Sequence, residues 1–186
     1  MTIPSWLQAL QLFLIGLLSL SLVFTGGHSS KPPTRIFALT VAILFLYASV
    51  DELFKLRLTL HTLLPIIAYR HWLGIYLGIG VTAFILFCRD FIGLWRFHPK
   101  SILIMVLGIS IFVFGGLGLE ILRNELFAVV ELLVGQGSSI PWLVEKFRVA
   151  AEEFSEMLGE SLILYGLCLF LTKRWENQNI RSLKQF

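Results

Sequence analysis

The chain has 186 residues, 56% of them hydrophobic and only 15% charged, with a formal net charge of +3. Soluble domains carry about 25% charged residues, so the composition excludes an ordinary soluble domain, and the length suits a single membrane-embedded one. The small positive charge does not call for a nucleic-acid partner; the partner it implies is the lipid bilayer.

In chain order, apolar runs that suit a hydrocarbon core of about 30 Å, roughly 20 helical residues, occur at residues 6–24, 36–54, 72–88, 102–119 and 157–171. The last run is short, but Pro141 suits a helix start because its missing N–H costs nothing in a first turn. The expected fold is all-α: a polytopic helical membrane bundle of about five transmembrane helices in one domain, with four or six spans as the alternatives. Residues 1–5 carry no Lys or Arg, and Leu22, Val23 and Phe24 are poor neighbours for a cleavage site, so the first run reads as a retained span rather than a signal peptide. Cys88 and Cys168 lie in or at the ends of apolar runs, without the spacing of a metal knuckle or a disulfide framework.

Five spans divide the loops between two sides. The side of the N-terminus holds six Lys or Arg and ten of the twelve carboxylates; the other holds nine Lys or Arg, with Asp90 and Glu176. The orientation rule counts Lys and Arg near span ends and largely ignores acids. Nine against six puts the N-terminus outside and the C-terminus in the cytoplasm, in a bacterial inner membrane or, for a cyanobacterial chain, a thylakoid. On the basic side the connections read as loops: residues 25–34 hold Gly26, Gly27, Pro32 and Pro33, residues 91–100 close on Pro99, and the tail from Lys173 to Phe186 reads as polar and frayed.

The acidic side has longer, apolar connections that predict one or two interfacial helices. Between Leu53 and Leu63, Lys55, Arg57, Thr59 and His61 alternate with leucines; a lone strand there would leave its backbone unpaired, so residues 53–70 read as a distorted interfacial helix. Residues 120–135 either extend the fourth helix or lie along the surface. Gly74 and Gly78 form a small-residue seam for close helix packing, and Gly115, Gly116 and Gly118 loosen the end of the fourth span.

The densest chemical signal is the run Glu152-Glu153-Phe154-Ser155-Glu156-Met157-Leu158-Gly159-Glu160. Glu153, Glu156 and Glu160 fall within about 60° of one another on one helix face, and Glu160 opens the apolar stretch. Asp51 and Glu52 end the second span on the same side, with His61 and His71 near. Ionisable groups inside a membrane are costly enough to mark pathways or ligand sites, and carboxylates from two helices with an imidazole are the materials of a metal site in a bundle. Asp51, Glu52, His61, Glu153, Glu156 and Glu160 are therefore the candidate cation or metal ligands, a divalent cation being the cofactor they would take. Lys55, Arg57, Arg123, Lys146 and Arg148 offer the plainer alternative of structural ion pairs.

The Asp51-Glu52 pair followed at a distance by His61, together with the Glu152-Glu153-x-x-Glu156-x-x-Gly159 run, resembles a pattern in uncharacterised multi-pass bacterial membrane proteins, some of them cyanobacterial. Thr62 stands after His61 where the resemblance leads one to expect Glu. The resemblance implies no known activity. No nucleophile elbow, phosphate loop or nucleotide fingerprint is present, and no His sits deep enough in a span to serve as a haem ligand. The foremost reading is a non-enzymatic small subunit, assembly factor or partner within a membrane complex. The alternatives are a cation- or proton-binding or transport protein using the acidic membrane-edge cluster, and a metal-dependent membrane enzyme.

Overall fold

Residues 3–25, 33–56, 69–134 and 140–183 are described by a computed structural model, and every regular element among them is helical. They form α1 (Ile3–Thr25), α2 (Arg35–Phe54), α3 (Tyr69–Leu86), α4 (Cys88–Phe97) and α5 (Pro99–Ile111). A π-helical turn (Phe112–Leu117), α6 (Gly118–Ile121), α7 (Arg123–Val134) and α8 (Ile140–Leu183) follow. The ends are set by local chemistry. Thr34, in extended backbone, caps α2 by accepting the Phe37 N–H on its hydroxyl, and Lys55 closes the helix in the left-handed region at φ 50°. His98 caps α5 by accepting the Ser101 N–H, with Pro99 in the first turn, where its fixed φ is already helical.

Close contacts give the direction of each helix. In the α1–α2 hairpin, the Ser49 hydroxyl donates to the Ala9 carbonyl at 2.7 Å, and a Cβ on Gly16 would stand 2.7 Å from Leu46 Cγ. The α5–α8 pair is antiparallel: Gly166 lies against Ser101 and Met105, Gly108 against Gly159, and Gly116 against Glu156. Helices α1 and α8 run parallel, since Gln8 and Gln11 bond Glu156 and Ser161 in that order. It follows that α2 and α5 point the same way, so residues 55–98 must carry the chain back from one end of the bundle to the other. Four helices (α1, α2, the α5 segment Pro99–Gly116 and α8) are long and apolar enough to cross a membrane, and α3 with α4 supplies a fifth if that bent pair is one span. The buried core joins Ile15 and Leu22 of α1, Phe37 of α2, Leu94 of α4, Ile102 of α5 and Phe170 of α8.

The third span departs from the straight helix expected over 72–88. It bends by 70° at Phe87, and residues expected as a loop continue as α4. Phe37 explains the turn: its ring meets Phe87 and Phe91 edge-on at 5.5 and 5.2 Å, while Thr34 donates to Asp90. These contacts hold α4 across the end of α2. The tail expected to fray is helical as far as Leu183; Lys173 pairs with Glu176 one turn on, and Arg, Glu and Gln are good helix formers. At 44 residues and 1.5 Å per residue, α8 is about 66 Å long, so it exceeds the bilayer core. Residues 120–134 extend the fourth helix, through a break at Leu122 that keeps the Leu122 N–H to Gly118 and Leu126 N–H to Leu122 bonds; residue 135 lies outside the described residues. Of the segment 53–70, residues 57–68 lie outside the described residues.

The glycine seam is also elsewhere than expected. A Cβ on Gly74 or Gly78 would meet nothing within 4 Å, whereas one on Gly108 would come 2.6 Å from the Gly159 carbonyl oxygen and one on Gly159 would come 2.8 Å from Phe112 Cβ. Backbone therefore meets backbone between α5 and α8, the arrangement small residues permit in membranes. Gly108→Val and Gly159→Val are expected to lower stability by about 1–3 kcal/mol or more through overpacking. Gly78→Ala should be neutral or stabilising by up to about 1 kcal/mol from helix propensity. Thermal melts of the three variants in one mild detergent check the contrast.

Candidate functional site

Three helices meet along one polar seam. In α1, Gln8 and Gln11 stand three residues apart and share a face. Gln8 Nε2 donates to Glu156 Oε2 at 2.7 Å and Gln11 Nε2 donates to Ser161 Oγ at 2.7 Å, so two interhelical bonds fix the register of α1 on α8. The bond from Ser49 to Ala9 fastens α2 to the other side of α1. The π-helical turn supplies the opposite wall: a Cβ on Gly116 would stand 2.8 Å from Glu156 Cγ and one on Gly115 would overlap Ser155 Cβ. Only glycine lets the Glu156 side chain lie flat there. π-Turns recur at functional sites.

Glu160 lies on α8 between the two fastened residues and is only 3% exposed. Its Oε2 has no hydrogen-bond partner among the described residues, nor has Gln11 Oε1. The charges that reach it are the carboxylates of Glu156 and Glu52. A buried acceptor left unmade costs about 1–3 kcal/mol, and more when charged. Among the described residues, no donor or positive charge meets that one Glu160 oxygen.

The other carboxylates nominated by the sequence fare differently. Glu52 is paired with Lys55 at the end of α2. Asp51 is 7% exposed, and Glu153 is half-buried. His61 lies outside the described residues. Among the described residues no three His, Cys, Asp or Glu side chains gather as metal ligands do, so the six-residue ligand set is not assembled there. Gln8, Gln11 and Ser161 were missed by reading charge alone. Their signal was present, since the two amides are the largest polar groups in the otherwise apolar run 6–24 and sit on one helix face.

Nearer the start of α8 the acids are fully compensated. Arg148 is 8% exposed. Its guanidinium donates to both oxygens of Glu145 at 2.8 and 3.0 Å, to Glu152, and to the Leu119 carbonyl at 3.2 Å, while Arg123 approaches Glu145 at 3.2 Å. The planar fork thus ties α6 to α8.

Fold and seam together define a multi-pass helical membrane protein with carboxylates buried inside its bundle. Residues 1–172 match the family described as a domain of unknown function (DUF8692), and the chain belongs to that family. No curated protein matches the chain, and no solved structure does.

Arg148→Met would strand Glu145 and Glu152 and is expected to cost about 3–5 kcal/mol, the usual penalty for breaking a buried pair. Arg148→Lys should recover only part of it, because a point charge cannot serve three acceptors in a plane. Paired thermal melts of the two variants measure both effects.

Proposed function

We propose that this protein binds a proton or a small cation at Glu160, within the membrane, as the working step of a transport or coupling activity. The observation that carries the reading is the Glu160 carboxylate itself: 3% exposed, with Oε2 lacking a partner among the described residues and Glu156 and Glu52 as its charged neighbours. A proton or cation there would meet the missing donor and offset the gathered negative charge. Intramembrane acids of this kind line ion and proton paths. Gln8 holds Glu156 in place, and Gln11 Oε1 is a neutral acceptor in the same seam. We further propose a bacterial inner membrane or thylakoid location, with the N-terminus outside and the C-terminus cytoplasmic. This rests on nine Lys or Arg against six and the preference of basic residues for the cytoplasmic side. The parallel course of α1 and α8 agrees with termini on opposite sides.

A second reading, a partner subunit of a larger membrane complex, is favoured by α3. Among the described residues, Leu77, Val81, Phe84 and Ile85 are exposed and nothing stands beside Gly74, Gly78 and Gly80, which leaves room for a helix of another chain. Native mass measurement in mild detergent tests it: an assembly that Gly78→Trp reduces to the single chain supports this reading, and a single chain from the outset removes it.

For the first reading, the full chain in detergent is melted while pH and the concentrations of sodium, potassium, magnesium and calcium are varied in turn. A ligand bound only to the folded state stabilises it by about 2.7 kcal/mol at a hundredfold excess over its Kd. The wild type should respond to protons or to one of these ions, and Glu160→Gln should fold yet lose that response. A wild type insensitive to all of them, or a Glu160→Gln variant that responds as fully as wild type, would sink the proposal.

A further inference from the structure

At the opposite end of the bundle from the acidic run, α4 has the build of an interfacial helix. It leaves α3 at 70°, and its contacts with Thr34 and Phe37 set it across the end of α2, where that span ends. Four contacts pin it: Thr34 on Asp90, Phe37 between Phe87 and Phe91, Leu94 in the core, and Phe97 tilted against Phe170 with centroids 5.2 Å apart. What these contacts leave outward is specific. Arg89 and Arg96 are exposed, and at seven residues apart they share one helix face within about 20°. Ile92 and Trp95, exposed by 54% and 45%, flank them, and Lys100 follows in the first turn of α5.

Among the described residues, the carboxylates at this end are engaged elsewhere than at Arg89, Arg96 and Lys100. Of the twelve acids in the chain, only Asp90 and Glu176 belong to this end; Asp90 is buried under Thr34 and Glu176 pairs with Lys173. Among the described residues no acid pairs with Arg89, Arg96 or Lys100. A counter-charge from outside the chain would meet them. We infer that the outer face of α4 binds the headgroup of an anionic phospholipid, its phosphodiester held by Arg89 and Arg96, with Ile92 and Trp95 against the first part of its acyl chains. The chemistry favours lipid over a soluble anion. A guanidinium matches phosphate oxygens two at a time, while an exposed Trp and Ile beside it suit the headgroup boundary, where aromatic residues settle. Amphipathic helices at the interface bind by this sum of apolar burial and attraction to anionic lipid.

The test titrates the full chain in dodecyl maltoside with dioleoyl phosphatidylglycerol, with dioleoyl phosphatidylcholine and with inorganic phosphate, following bound lipid by native mass spectrometry and stability by thermal melt. Phosphatidylglycerol should be retained and should raise Tm, and phosphatidylcholine should do neither. The double variant Arg89→Gln/Arg96→Gln should bind phosphatidylglycerol at least about tenfold more weakly, since each basic residue near an anionic surface contributes roughly another factor of five. Both side chains are exposed, so the variant's melt in phosphatidylcholine should match wild type and show that the fold is intact. Equal retention of the two lipids, unchanged binding in the double variant, or displacement of the lipid by inorganic phosphate at millimolar concentration would each overturn the assignment.

Discussion

The backbone contact between α5 and α8 at Gly108 and Gly159 is the constraint on which the rest of the bundle depends. A Cβ on either glycine would fall within 2.8 Å of the facing helix, so neither position admits a larger residue without pushing the helices apart. The contact continues at Gly166 near one end and at Gly115 and Gly116 near the other. With α8 held at that depth, Glu156 and Glu160 are set inside the bundle rather than on its rim. Helix α1 then docks on α8 through the two glutamine bonds, and α2 docks on α1.

Charge on α8 is therefore graded by depth. Glu145 and Glu152 share Arg148, Glu156 receives an amide N–H from Gln8, and Glu160 keeps an oxygen with no donor among the described residues. A buried ion pair adds little net stability but is costly to break, which makes the Arg148 cluster a fastening. The Glu160 oxygen has the opposite character. An acceptor without a donor costs stability in the folded chain, and the surrounding packing holds it in place.

Much of this architecture is legible in the sequence because hydropathy reports on the solvent. The apolar runs at 6–24 and 36–54 coincide with α1 and α2, and Pro141 marks the start of α8 within one residue. The acidic run was legible as a feature, and its division was not. Periodicity places Glu153 with Glu156 and Glu160, whereas the neighbours of each are decided by α1 and the π-turn, which no property of α8 announces. Gln8 and Gln11 disappear into the average of an apolar window. The bend at Phe87 escaped for a similar reason: nothing local breaks the helix there, and the cause is a phenylalanine fifty residues earlier. Gly74-x-x-x-Gly78 had the spacing of a packing seam, yet the close contacts fall at glycines with no such spacing, because facing backbones and not repeats decide where a Cβ cannot go.

The π-helical turn has an implication for how chains of this family can vary in length. Its hydrogen bonds close over five residues instead of four, the Gly118 N–H reaching the Val113 carbonyl, so it amounts to one residue inserted into an otherwise α-helical span. Everything downstream is rotated by about 100° relative to an uninterrupted helix, and that rotation presents the Leu119 carbonyl to Arg148. A homologue shorter by one residue between Phe112 and Leu117 would keep its hydropathy profile and its apparent span. It would turn α6 and α7 to a different face of α8, and the Arg148 fork would lose its third acceptor. Alignments of such chains should therefore treat a single-residue gap in this stretch as a change of helix register rather than of loop length.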